Sequence, residues 1–390
     1  MSAKQFITIL IIEILSGIEI DILVPSFPDL RQAFTLSPFM VELLLGLNFM
    51  AHCVTTFIVG NLGDKYGRRP VILVGLLIFI IGSGICVCAN SYVGLLFGRL
   101  LQGVGISGPS VLCYLLVSDS VAPENQQKML SMINGTITLS IATAPIIGSY
   151  INLFFQWRGN FIALLVLSVI CLILSLLFIP KTSSSHVYSS TSSKYLDILK
   201  SKKACYYILT ICFLTQPYWV FIGIAPIIYI EGFGASLEEF GIYQAVMLSV
   251  FGVLSLASNY LLNKFSAKNC LIFSLTCLVL FLLVSIVLII SNTRNALIFS
   301  AVMQLFAIGS VFPLHKLWPE AFEVIPEAKA HISALILSTR LITTALGLQI
   351  AGYFYRGNAS STILVMCFGL LLFFIVGAQV FNKDKKLLLK

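Results

Sequence analysis

The sequence predicts an all-α membrane protein with twelve transmembrane helices arranged as two six-helix halves. Three observations lead there. The 390 residues are 58% hydrophobic and only 10% charged, with a mean hydropathy of +0.99, whereas soluble domains carry about a quarter charged residues. Twelve apolar runs each approach the about 20 residues that a helix needs to cross hydrocarbon. The basic residues cluster on alternate connecting segments, as they do when a chain threads a bilayer repeatedly.

The runs fall near residues 5–25, 40–60, 71–89, 92–117, 129–153 and 159–180, then 205–230, 238–261, 270–291, 295–318, 330–355 and 361–381. The first carries Glu13, Glu19 and Asp21, which suits neither a cleavable signal peptide nor a simple anchor. The second and third are joined by a short hydrophilic stretch from Gly60 to Pro70, where spaced glycines permit a tight turn. The sixth and seventh are separated by residues 181–204, a Ser-rich and basic stretch that reads as a flexible cytoplasmic linker. This gives an N-terminal six-helix bundle over 1–180, a linker over 181–204, and a C-terminal bundle over 205–390 that ends in a short basic tail.

The net charge of +8 could suggest nucleic acid, but the distribution of charge excludes that reading. With the N-terminus in the cytoplasm, eighteen of the 24 Lys and Arg lie on cytoplasmic segments. Only Arg31, Arg158, Arg294 and Arg356 lie opposite, and Arg99 and Arg340 lie inside spans. This bias places both termini in the cytoplasm. The ten cysteines are scattered without metal-ligand spacing and read as small apolar fillers.

The halves echo one another. Shifted by 199 positions, Leu62, Lys65, Tyr66 and Arg69 fall on Leu261, Lys264, Phe265 and Lys268; shifted by 198, Arg158-Gly159-Asn160 falls on Arg356-Gly357-Asn358. Nearly one offset for both echoes favours a duplicated six-helix unit.

Ionisable residues inside spans are costly and mark pathways or partners. On a continuous first helix, Glu13 and Asp21 would share one broad face, about 80° apart, with Glu19 pointing away as a peripheral acid. Counting about 1.5 Å per residue places Asp21 and Arg99 at similar depth in the outer third, as an acid–guanidinium pair across a cavity or a structural ion pair. Arg340 stands near mid-span with no acid in its own helix, so it either meets an anionic substrate group or satisfies carbonyl groups. Gln216, Trp219, Tyr243 and Gln244 are further residues that either line a cavity or pack.

The connecting stretch Gly60-Asn-Leu62-Gly-Asp64-Lys65-Tyr-Gly67-Arg68-Arg69 resembles the loop between the second and third helices of the major facilitator superfamily, departing from its order only by Lys65. Arg99-Leu-Leu-Gln102-Gly103-Val-Gly105 resembles the fourth-helix motif of that superfamily. Asp21-Ile-Leu-Val-Pro25-Ser-Phe-Pro28 is similar to the first-helix element of the Bcr/CflA branch of drug:proton antiporters. Ala144-Pro145-Ile-Ile-Gly148-Ser149 departs from the Gly-Pro-x-x-Gly-Gly antiporter motif, and Ser118-Asp119 from the usual Arg-Asp.

The resemblance implies two halves with a substrate site between them. It implies Asp21 as the acid that takes up and releases protons, Glu13 as a second acid, and Arg99 as a residue that tunes or relays protonation. Gly60, Asp64, Gly67, Arg68, Arg69 and Asp119 would form a conformational latch, with Arg68 or Arg69 pairing with Asp119. The expected function is proton-coupled export of small amphiphilic molecules by alternating access, in a bacterial inner membrane, by a monomer with no cofactor other than the coupling proton. Nutrient uptake and a transporter-like ligand receptor are the alternatives. An enzyme is not expected, since no His/Cys/Asp cluster, nucleophile elbow or phosphate loop is present.

Overall fold

A computed structural model describes residues 1–121, 123–180, 191–325 and 328–383. All regular structure among them is helical. The helices are α1 (Ala3–Ile18), α2 (Phe27–Phe34), α3 (Pro38–Tyr66), α4 (Arg68–Cys88), α5 (Tyr92–Ser120), α6 (Pro123–Phe178), α7 (Thr191–Lys200), α8 (Lys202–Pro226), α9 (Leu237–Lys264), α10 (Ala267–Ser291), α11 (Ala296–Val324), α12 (Lys329–Tyr353) and α13 (Ser360–Lys383). Among the described residues, 10 helices are long and apolar enough to cross a membrane. One of them, α6, is folded at Gln156, whose φ of 56° and ψ of −171° break the helix into two arms. Together with α1, this is consistent with twelve crossings.

Local chemistry sets the helix starts. Ser2, Ser37, Ser91, Ser201, Ser236, Ser266 and Asn295 each accept a hydrogen bond from a backbone N–H in the first turn of the following helix. Such caps are each worth about 0.5–2 kcal/mol relative to Ala. Between caps the helices are apolar nearly all round, so packing decides their neighbours. The α4–α5 contact is a crossing of small residues: a Cβ at Gly75 would lie 2.6 Å from the Gly105 carbonyl oxygen, and one at Gly82 would lie 2.8 Å from that of Gly98. Within a bilayer, such close backbone approach takes the place of hydrophobic driving force.

The chain divides into two compact units, Met1–Thr191 and Ser192–Lys390. The first sequence echo has a structural counterpart in them. Lys65 lies 5.0 Å over the Tyr66 ring at the end of α3, and Lys264 lies 5.8 Å over the Phe265 ring at the end of α9. In the second echo the contacts differ: Asn160 donates to Ser26 and the Gly148 carbonyl, whereas Asn358 donates to the Asn292 side chain at the end of α10.

Three expectations change. The first span is not continuous: α1 stops at Ile18, and residues 19–26 form turns and a short 3-10 segment before α2. Pro25 and Pro28 sit at the restart, where a missing N–H is harmless. The Gly60–Arg69 stretch is mostly helix, because α3 runs on to Tyr66; the reversal is confined to Gly67, at φ 90° and ψ 154°. Residues 191–200, expected in a flexible linker, form α7, which buries Ile198 and sets Tyr195 edge-on to His331 at 4.8 Å. Residues 181–190 lie outside those described.

Gly67 and Gly60 should therefore respond differently to Ala. Only glycine readily adopts the Gly67 backbone, so Gly67→Ala should cost about 1–3 kcal/mol. Gly60 is helical with open space around it, so Gly60→Ala should be neutral or stabilising by up to about 1 kcal/mol. Thermal unfolding of the purified variants reads both, and equal melting temperatures for the two would refute this reading of the turn.

Candidate functional site

The break between α1 and α2 is the centre of a buried polar system in the first unit. Glu19, the first residue past α1, is fully buried, and its carboxylate lies 3.5 Å from Nη1 of Arg99 on α5. The same nitrogen donates to the Glu19 carbonyl at 3.5 Å and to Oε1 of Gln102 at 2.7 Å. Gln102 donates in turn to Ser83 on α4 at 2.8 Å. Asn48 on α3 donates to Glu19 at 3.4 Å and to the Arg99 carbonyl at 3.1 Å. Nε and Nη2 of Arg99 meet no acceptor among the described residues.

Each position of the α5 motif has a physical task. Arg99 supplies the charge. Gln102, one turn on, bridges it to α4. A side chain at Gly103 would collide with the Asn48 carbonyl, so glycine there lets α3 close on α5 and brings Asn48 to Arg99. Gly105 belongs to the small-residue crossing with Gly75.

A second network pins the other end of the break. Asn160 donates to Ser26 at 2.7 Å and to the Gly148 carbonyl at 3.2 Å; Ser26 donates to Asn152 at 2.8 Å; Asn152 donates to Asp29 at 2.7 Å. Gly148 packs directly beneath the Ile22 carbonyl, where any side chain would clash. Pro145 leaves a gap in the α6 ladder, and Ser149 donates back to the Pro145 carbonyl at 2.8 Å. The departed antiporter motif thus acts here as a seat for the α1–α2 break.

Asp21 sits inside that break, 1% exposed, with Oδ1 unpartnered among the described residues. It does not pair with Arg99. Glu19, expected at the periphery, holds that position instead: its N–H still bonds to the Leu15 carbonyl in helical geometry, so α1 itself delivers the side chain to Arg99 before the backbone departs from the helix. Glu13, on regular α1, is fully buried beside Cys113 and Tyr114 of α5, and both of its carboxyl oxygens lack a partner among the described residues.

Sequence reasoning passed over Glu42 of α3, which is also fully buried with both carboxyl oxygens unpartnered. A lone acid in the run Met40-Val-Glu42-Leu-Leu was the signal that could have found it. At the Gly67 reversal, Asp64 and Arg68 form an ion pair at 2.6 Å, and Arg69 donates to the Leu176 carbonyl at 2.6 Å, near the end of α6. There a cation suits the helix dipole. Asp119 is on α5, but its side chain lies outside those described, and so does its expected pairing with Arg68 or Arg69.

In the second unit, Arg340 of α12 lies 4.9 Å over the Trp219 ring of α8. Gln216 is not a cavity residue: it is wedged between Gly347 of α12 and Gly369 of α13. Tyr243 joins an aromatic cluster, its ring 5.3 Å from that of Tyr229. Gln244 is 1% exposed with its amide unpartnered.

Breaking one side of the buried Glu19–Arg99 pair should be costly. Glu19→Gln or Arg99→Gln alone should destabilise by about 3–5 kcal/mol, and the double variant should recover part of that loss. The check is a double-mutant cycle on thermal unfolding, and simple additivity would remove the pair from the account.

Comparison with known proteins places this geometry. The profile of the Major Facilitator Superfamily matches residues 9–314, well over half of the chain. The multidrug resistance protein MdtL of Salmonella paratyphi B is 24% identical over 283 residues, covering 72% of this chain and 71% of the relative. MdtL of Salmonella typhimurium gives the same identity and coverage. Among solved structures, a bacterial homolog of the human lysosomal transporter Spinster, inward-facing and occupied, superposes with a TM-score of 0.74 at 15% identity, covering 97% of this chain and 96% of that one. A D-xylose–proton symporter gives 0.71 at 14% identity, covering 96% of each chain. At these identities the solved structures establish the fold alone. By profile and fold together, this chain belongs to the Major Facilitator Superfamily of secondary transporters and is not an enzyme.

Proposed function

We propose that the chain exports small amphiphilic molecules in exchange for protons across a bacterial inner membrane, with both termini in the cytoplasm. Its MdtL relatives carry the name multidrug resistance protein, and the excess of Lys and Arg on one set of connections supports the orientation. The observation that carries the reading is Asp21. It is a buried acid at a helix break, with an open carboxyl oxygen and no cation in ion-pair contact among the described residues. A carboxyl so placed can exchange a proton with little rearrangement, because its neighbours do not depend on its charge. Broken helices within transporter spans place ion sites in the same way.

Roles follow for the remaining residues. Glu13 is a second buried acid, on α1 ahead of the break, and would share or pass on the proton. Arg99 holds the α1–α2 break in shape through Glu19 and so tunes Asp21 from a distance. The Gly67 reversal, with its Asp64–Arg68 pair, biases one conformation of the transport cycle. A half-buried surface pair such as this is worth only about 1 kcal/mol or less, which suffices to shift an equilibrium between two states.

A growth-inhibition panel in cells lacking their own exporters identifies transported compounds; resistance to several unrelated ones supports export, and accumulation of one nutrient would support uptake instead. With such a compound, proton-gradient-driven flux in proteoliposomes should be abolished by Asp21→Asn while the melting temperature stays unchanged. Asp64→Asn should slow flux several-fold with substrate affinity intact. Unimpaired flux in Asp21→Asn would reject Asp21 as the coupling acid.

A further inference from the structure

Arg340 is the second arginine within the spans, and its surroundings are unlike those of Arg99. Its guanidinium carbon lies 4.9 Å from the Trp219 ring centroid, a cation–π contact, yet among the described residues no acceptor meets its N–H groups and no carboxylate stands within ion-pair distance. The indole N–H of Trp219 is also without an acceptor among the described residues; its ring meets the Tyr218 ring at 5.5 Å and Arg340 itself. Six donors, one of the groups formally charged, thus gather beside an aromatic face near the middle of α12.

The frame around them is rigid. Cys212 of α8 donates to the Ile336 carbonyl of α12 at 3.4 Å, one turn from Arg340. Gln216 is wedged against Gly347 and Gly369, so α8 is locked to both α12 and α13 just before Trp219. Both Arg340 and Trp219 keep part of their surface open. A charge-bearing fork in low dielectric, preorganised and without acceptors, is suited to an oxyanion held in bidentate fashion. The adjoining indole face suits an apolar or aromatic body attached to it.

We propose that Arg340 and Trp219 form a binding site for the anionic head of an amphiphilic substrate, such as an aromatic carboxylate. This names the substrate class of the proposed exporter and rests on that reading for its physiological meaning, although the site itself can be tested by binding alone.

The probes are 2-naphthoate and its uncharged counterpart 2-naphthamide, titrated by calorimetry into the full-length purified protein in a neutral detergent. The wild type should bind naphthoate at least tenfold more tightly than the amide. Arg340→Gln should lower naphthoate affinity at least tenfold and leave amide affinity within twofold, with an unchanged melting temperature as the control for folding. Arg340→Lys should be intermediate, because the charge remains but the planar fork is lost, and Trp219→Leu should weaken both probes. The site is overturned if the wild type prefers the amide, if neither probe binds, or if Arg340→Gln binds naphthoate like the wild type. The two readings separate cleanly: Arg340-dependent binding without any proton-driven flux would keep the site and reject the exporter, and proton-driven flux with Arg340-independent binding would do the reverse.

Discussion

A guanidinium is costly to hold in a membrane span, and the first unit is organised around that constraint at Arg99. Its Nη1 takes the Glu19 carboxylate, the Glu19 carbonyl and the Gln102 amide oxygen. Glu19 closes the last helical turn of α1, and the broken backbone that follows is supported by other elements. Gly148 supports it from α6, where the helix passes beneath the Ile22 carbonyl, and the Ser26–Asn152–Asn160 network supports it from both arms of that helix. Asp21 is the residue left inside the break. The proposed division of labour thus sets a structural acid, Glu19, two residues from a proton-exchanging acid, Asp21.

The two arginines within spans show how the same residue type can serve opposite ends. Arg99 has bridging partners on α1, α3 and α4, directly or through Gln102 and Asn48. Arg340 has a stacking platform and no acceptor among the described residues. The first arrangement consumes hydrogen-bonding capacity to fix backbone; the second holds it in reserve. Arg340 keeps part of its surface open, so its donors stay available to a ligand.

Much of the architecture was legible in the sequence because bilayer crossing forces long apolar runs, and capping residues mark most of their starts. The superfamily resemblance was carried by residues whose reasons are now visible: Gly67 at a backbone angle that other residues avoid, and Gly103 under the Asn48 carbonyl. The pairing of the acids was not legible. Counting helical rise placed Asp21 at the depth of Arg99 and helical phase turned Glu19 away, yet Pro25 and Pro28 were in plain view as signs that the helix would not run on. Whether Gln216 lines a cavity or packs was open in the sequence, since nothing there shows that Gly347 and Gly369 converge on it from helices more than 130 residues away. Glu42 was visible as a lone acid in an apolar run, and its burial is evident only once α3 is packed.

The claim on which the account rests is that Asp21 exchanges the proton while Glu19 and Arg99 hold the frame. The most direct measurement is proton release into lightly buffered detergent solution when a transported compound is added to the purified protein. The account predicts release by the wild type, release retained in the Glu19→Gln/Arg99→Gln double variant, and none from Asp21→Asn that still binds the compound. Release that survives in Asp21→Asn and vanishes when the Glu19–Arg99 pair is removed would contradict it.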